Sequence, residues 1–350
     1  METMPGLRLP GGSEVVLDEF PVPEPGPEEV LIEIRASGLC GSDLHAYRRL
    51  RTAEPDERAR FVSGHEPAGV IAQVGERVSH FRAGDRVFAY HISGCGYCHQ
   101  CRLGYMVNCT SPLRSAYGEH RNGGNARFMT ATERTLLLLP EPLTFSDGAM
   151  LACTAGTAFG ACVRANVSAK DDVFIAGMGP VGLTVAVTAQ AYGARVSVAD
   201  VNTDRLKLAE SLGIQHALPV TDNALDGLLE LTDGEGPSVT IDCSGNDAAR
   251  ALCLQAAGTW GRTVFIGYGG RSLQFDAGAL VLRKQLTLIG SSVCSIGQME
   301  DAAAFFAGRA LHPSKIVQGE FSLREASQVF ADFAGGAPGK YIFDPAQDLS

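Results

Sequence analysis

The segment Gly38-Leu39-Cys40-Gly41-Ser42-Asp43-Leu44-His45 sets a thiol, a hydroxyl, a carboxylate and an imidazole between positions 40 and 45. A thiolate ligates a metal, a hydroxyl both accepts and donates a proton, and an imidazole exchanges protons with water near neutral pH. On this reading Cys40 holds a catalytic metal, Ser42 handles a substrate proton, Asp43 braces the site from behind and His45 passes protons to solvent. One cysteine in a globular chain is by default a small buried apolar residue, so the reading depends on what other segments supply. A second set is self-sufficient. Cys95, Cys98 and Cys101 repeat a thiol every third residue, and Cys109 follows after a short gap. Four thiolates so spaced close a tetrahedron around one Zn2+ with no open position, which makes a structural site. An iron–sulfur cluster also takes four thiolates and is the competing chemistry. His99 lies inside the loop, where the four cysteines already fill the coordination.

A third pattern points to a nucleotide. Gly177-Met178-Gly179-Pro180-Val181-Gly182 follows the short apolar run Val173-Phe174-Ile175-Ala176 and opens a helical stretch over 181–192, closed by Gly193. Asp200 ends the next strand-like run, Arg195-Val196-Ser197-Val198-Ala199. In that context the first glycine permits the tight turn and the second lets backbone approach a pyrophosphate. The third lets helix and strand pack closely, and the helix N-terminus faces the phosphate. Asp200 then accepts hydrogen bonds from the adenosine ribose. Its charge repels a 2′-phosphate, which favours NAD over NADP.

These groups need elements to position them, and composition limits the choice. A chain of 350 residues exceeds what one core usually serves, so two domains are expected. A net charge of −10 argues against a nucleic-acid or anionic-membrane partner. Residues 1–10 carry no apolar targeting core. The charge-free run 173–194 is long enough for a membrane helix, but Gly177, Gly179 and Pro180 interrupt it, and a buried strand, turn and helix account for it better. The ten cysteines are unevenly placed, four of them between Cys95 and Cys109, which suits a metal site in a reducing compartment, the cytoplasm, better than a disulfide framework. In the first part, Val30-Leu31-Ile32-Glu33-Ile34-Arg35 reads as a half-buried strand that delivers the chain to Cys40. Short strands with turns at Gly75-Glu76 and Ala83-Gly84-Asp85 predict a barrel-like β domain. The small apolar run 150–158 reads as a helix start. Beyond it, strands at Val239-Thr240-Ile241-Asp242, Thr263-Val264-Phe265-Ile266 and Leu286-Thr287-Leu288-Ile289 alternate with helices at 203–212 and 247–257. That pattern is a doubly wound α/β domain. Helices near 299–306 and 323–333 and a strand at Lys340-Tyr341-Ile342-Phe343 return to the first domain.

With Cys40-Gly41-Ser42-Asp43, Gly64-His65-Glu66, the four-cysteine lobe, the Gly177 turn and Asp200 in this order, the chain resembles the medium-chain zinc-dependent alcohol dehydrogenase family over nearly its whole length. The resemblance implies an α/β protein: a GroES-like β catalytic domain, 1–154 completed by 292–350, and a doubly wound parallel Rossmann domain, 155–291. It implies a catalytic zinc held by Cys40 and His65 with Glu66 close by. Polyol-dehydrogenase relatives carry a Glu as the next ligand. Here the corresponding region offers Ala152 or Cys153, and Cys153 gives a Cys2His set with one open position. With Cys95, Cys98, Cys101 and Cys109 this makes two Zn2+ per chain. Gly177, Gly179, Pro180, Val181, Gly182, Asp200 and Arg205 are the implied NAD-binding residues. The implied reaction moves a hydride from an alcohol or polyol to NAD. The proton leaves through Ser42, the cofactor ribose and His45, and Asp43 fixes the tautomer of His65.

Substrate identity is not legible. The segments 47–60, 117–125 and 293–294 are expected to shape the pocket, and the polar 117–125 leans toward a polyhydroxy substrate. An aldose 1-dehydrogenase making a lactone is the rival enzyme, and a non-catalytic nucleotide-binding protein of the same fold the rival class. A homotetramer is expected, a dimer being the alternative, with 286–289 pairing across a two-fold axis.

Overall fold

The structure, a computed structural model, describes residues 2–51, 56–221, 223–270 and 273–349. Part of the polar 47–60 segment, residues 52–55, therefore lies outside the described residues. The chain divides into two compact units, Met1–Gly156 with Ser295–Ser350, and Thr157–Cys294.

The first unit is built on the strand Glu29–Leu39. It pairs antiparallel with Pro67–Val74, with Phe128–Thr132 and, at its end, with Lys340–Phe343. Its residues Val30, Leu31, Ile32, Ile34, Ala36, Ser37 and Leu39 are buried on both faces of the sheet. The late alternation read from the sequence holds, with Ile32 and Ile34 buried, Glu33 partly exposed and Arg35 exposed, while Val30 and Leu31 ahead of it are both buried. Arg86–Ala89 and Leu136–Leu138 extend the sheet on one side, and Val317–Phe321 lies beyond Lys340–Phe343 on the other. Ile32, Ile34, Ile71, Val87 and Met129 form one core, while Leu7, Leu39, Phe330, Phe333 and Phe343 form another. Of the N-terminal hairpin Thr3–Gly11/Glu14–Pro21, the residues show a strand from Val15 running into a proline-rich turn, while its first strand was not anticipated. Its turn, Gly11, Gly12 and Ser13, takes three successive positive φ angles of 88°, 68° and 58°.

The run 150–158 is not a helix start. The helix begins earlier, at Phe145, where Thr144 and Asp147 cap each other's backbone amides. It then passes through a π-helical turn, Leu151–Ala155, before Gly156–Arg164. A reciprocal cap three residues apart is a strong initiation signal.

The second unit holds a six-stranded, wholly parallel sheet. Its spatial order is His216–Pro219, Arg195–Asp200, Asp172–Ala176, Val239–Asp242, Arg262–Phe265 and Thr287–Gly290. Numbered within the unit this is 3-2-1-4-5-6, the doubly wound order with its switch point beside the first strand. The helix Pro180–Ala191 buries Gly182, Leu183, Val185, Ala186 and Ala189, which explains why its sequence is apolar all round. His216–Pro219 and Ala224–Glu230 were not anticipated. Among the described residues no helix is long and apolar enough to cross a membrane.

Candidate active site and metal centres

Strand ends and one irregular helical turn supply the first cluster. Cys40 follows the central strand, and Ser42, Asp43 and His45 lie in or beside the short helix Asp43–Tyr47. Asp43 ties this corner together: its Oδ2 accepts the Cys40 amide at 2.8 Å and its Oδ1 lies 3.2 Å from His65 Nδ1. That contact fixes which ring nitrogen of His65 carries hydrogen and leaves Nε2 for a ligand bond. Ser42 Oγ lies 3.2 Å from this same Nε2.

His65 is carried by a tightly constrained loop. Gly64 has φ +91°, and a Cβ there would collide with Asn125. Asn125 is buried and bridges Ser37 and Ser63, at 2.7 and 3.0 Å. Asn122 accepts the Val62 amide, and Tyr117 hydroxyl meets Thr135 Oγ1 at 2.9 Å. Asn122 and Asn125 of the 117–125 segment are thus committed to bracing the His65 loop, and Tyr117 is committed to Thr135. The segment's hydrogen-bonding richness therefore does not by itself indicate a polyhydroxy substrate.

Cys153 comes from the π-helical turn. A wide turn of this kind shifts side chains off the regular helical stripe and is frequent at functional sites. One ligand atom each from Cys40, His65, Glu66 and Cys153 lies within 4.8 Å of the other three. A hydrogen bond from Cys153, opposed by burial, pulls the Cys40 thiol well below its ordinary range, while Cys153 is raised in turn. Burial pushes Glu66 up to about 7 against the pull of Lys340. The donor set of two sulfurs, one imidazole and one carboxylate suits Zn2+.

Sequence reasoning gave no role to Lys340 and His91, which belong to no motif, or to Thr154, which follows Cys153 directly. Lys340 and Thr154 contact Glu66. His91 is buried, with Nδ1 2.9 Å from the Ala152 carbonyl and its ring edge-on to His65 at 5.4 Å. Burial, with His65 adding to it, lowers His91 to about 4, so it is neutral at physiological pH.

The second cluster gathers Cys95, Cys98, Cys101 and Cys109, again with sulfurs within 4.8 Å. Backbone amides of Cys95 and Cys98 point at Cys109 and Cys95 sulfurs, at 3.4 and 3.3 Å. Hydrogen bonds from the Cys98 and Tyr97 amides hold Cys95 down to about 6, as a metal-binding thiolate requires. Among the described residues no two cysteines are joined in a disulfide.

In the second unit Gly177 has φ +96°, and its missing side chain lets Ser244 approach. A Cβ on Gly182 would strike the Gly177 carbonyl, whereas one on Gly179, the N-cap of Pro180–Ala191, would meet nothing within 4 Å. The space before the helix is therefore open where a phosphate would sit, and the residues present fit a dinucleotide. Asp200 is largely buried. Its two oxygens already accept the Met178 and Asn202 amides, at 2.5 and 2.7 Å, and Arg205 stands 3.9 Å away.

Comparison with known proteins agrees with both halves. The alcohol dehydrogenase GroES-like domain matches residues 26–141, and the zinc-binding dehydrogenase family matches 180–308. The chain is 41% identical to the uncharacterized zinc-type alcohol dehydrogenase-like protein YphC of Escherichia coli (strain K12), over 98% of this chain and 99% of that protein. It is 28% identical to mouse sorbitol dehydrogenase, over 93% and 91% of the two chains. The solved alcohol dehydrogenase of Thermus sp. ATN1 superposes with a TM-score of 0.88 at 26% identity, over 97% of this chain and 99% of that one. The mixed sheet is thus the GroES-like fold and the parallel sheet the Rossmann fold, and the chain belongs to the medium-chain zinc alcohol/polyol dehydrogenase family of oxidoreductases.

Proposed function

We propose that the protein oxidises a primary or secondary alcohol or polyol with NAD, giving an aldehyde or ketone. The observation that carries this reading is the convergence of Cys40, His65 and Cys153 within 4.8 Å, with Ser42 Oγ 3.2 Å from His65 Nε2. When bound, zinc supplies Lewis acidity toward a substrate oxygen, and the nicotinamide accepts a hydride. Cys40, His65 and Cys153 hold the cation, and Cys95, Cys98, Cys101 and Cys109 hold a second, structural one. Asp43 orients the His65 ring. The Ser42 hydroxyl takes the substrate proton and His45 passes it to water. Gly177, Gly179, Pro180, Val181 and Gly182 shape the phosphate turn. Asp200, with Arg205 beside it, selects NAD because a carboxylate at this place repels a 2′-phosphate. Relatives named as sorbitol dehydrogenases support the polyol reading. The crowding of four cysteines between Cys95 and Cys109 supports work in a reducing cytoplasm. We place the chain in a homotetramer, in which the open edge Thr287–Gly290 pairs with a second copy, and a monomer by light scattering would refute this.

The test is a panel of alcohols, polyols and sugars incubated with the zinc-replete protein and read by NADH absorbance. Polyol oxidation with NAD is expected. Lactone among the products, or no turnover with either coenzyme, overturns the reading.

A further inference from the structure

The Cys40–His65–Cys153 cluster has a buried cation behind it. Lys340 opens the last strand of the sheet, and its neighbour Tyr341 pairs with Leu39, the residue before Cys40. The Lys340 side chain is fully buried, as are those of Glu66 and Thr154. Lys340 Nζ lies 2.6 Å from Glu66 Oε2 and donates to Thr154 Oγ1 at 2.9 Å. Thr154 Oγ1 in turn donates to Glu66 Oε1 at 3.0 Å. Each member of this triad adjoins a segment that carries a cluster residue: Glu66 follows His65, Thr154 follows Cys153, and Lys340 borders the strand leading to Cys40. A Cβ on Gly38 would collide with Glu66 Oε2 and come 3.1 Å from Lys340 Cε, so the glycine keeps room for the pair.

Glu66 has a carboxylate oxygen within 4.8 Å of the other three donors, close enough to compete for a cation. Two thiolates and a carboxylate around a divalent cation leave one negative charge, and a buried unpaired charge is strongly unfavourable. Lys340 cancels it, and does so on the carboxylate.

We propose that Lys340 is a positioning residue that sets the ligands of this centre. By engaging Glu66, it leaves Cys40, His65 and Cys153 as the protein ligands and keeps Glu66 from adding to the coordination as a fifth ligand beside the open position. This rests on the metal reading above.

The test uses the full chain loaded with Co2+ and compares visible spectra of wild type, K340M, E66Q and K340M/E66Q. The four-cysteine lobe contributes equally to all four and drops out of difference spectra. Intense d–d bands mark four-coordinate cobalt, and weaker ones mark a fifth ligand. Wild type and E66Q are expected to share an intense spectrum, because Glu66 is not a ligand in either. K340M should show the weakened bands of Glu66 joining the metal, and K340M/E66Q should restore them. A changed spectrum in E66Q, or a folded, metal-bound K340M with the wild-type spectrum, overturns the proposal. If K340M does not fold, E66Q alone decides. A wild-type protein that binds no cobalt outside the lobe overturns the metal reading itself.

Discussion

Ser42 and His65 show how far chemistry at the level of one side chain was written in the sequence. The order Cys40, Ser42, Asp43 and then Gly64-His65-Glu66 named the groups, because metal ligation and proton relay need particular residue types. It could not reveal Lys340, Thr154 or His91, which reach the cluster only through sheet pairing and a π-helical turn. Ser42→Ala should lower alcohol oxidation by about a hundredfold or more, in the range of general acid–base effects, with zinc and NAD still bound. Ser42→Thr should retain most activity, because it keeps the hydroxyl. Steady-state rates beside metal and coenzyme titrations check both, and a normal rate in Ser42→Ala removes the hydroxyl from the mechanism. His91 makes a narrower prediction. With Nδ1–H committed to the Ala152 carbonyl, its Nε2 is an acceptor suited to a second hydroxyl of the substrate. His91→Phe should cost polyols about fivefold in kcat/KM relative to simple alcohols, the worth of one hydrogen bond. Equal ratios before and after the change would sink it.

The elements were legible where their pattern is local. The strand-turn-helix around Gly177 was readable because glycines are required at fixed places in it. The strand His216–Pro219 was not, since it holds no β-branched or aromatic strand former and Pro219 closes it. Asp200 belongs to this scale, because it sits at a strand end and accepts the Met178 amide of the phosphate turn and the Asn202 amide behind its own strand. Replacing Asp200 by a small neutral residue should narrow the gap in kcat/KM between NAD and NADP, and an NADP preference in the wild type would reverse the assignment. The start of the helix Phe145–Met150 carries a pH-dependent tie. Burial pulls Asp147 upward, but His312 Nδ1 at 2.8 Å and the Thr144 and Ser314 amides outweigh it and hold the carboxyl below its usual range. A depressed folded value means that the unfolded chain binds the proton more readily. The stability from Asp147 is therefore present above about pH 4 and lost as pH falls through the folded value. Asp147→Asn should cost about 1–3 kcal/mol at neutral pH and flatten the acid limb of the denaturation midpoint against pH. An unchanged acid limb would show that the tie carries no linkage.

Across the whole molecule, alternation of strands and helices announced the parallel sheet, while the mixed sheet was only partly readable because its pairings join residues far apart in the chain. Two ligand clusters predict two zinc ions per chain, and elemental analysis of metal-replete protein tests the count. A value of one, or iron with acid-labile sulfide, contradicts it. Cys98→Ser should lower the melting temperature and bring activity down only as a consequence, because a closed zinc site contributes to folding. The return of the chain to the first unit also bears on how the protein is made. On the ribosome, residues 157–294 are complete well before Lys340–Phe343 emerges. At about 5–20 residues per second, the delay is roughly 2–10 s. During that interval the strand end at residues 37–39 lacks its partner, and the Cys40, His65 and Cys153 segments exist without their buried lysine. A nascent chain stalled there would hold a complete parallel sheet, an open strand edge and a Glu66 carboxylate without its cation. It would be the species that chaperones and proteases must recognise.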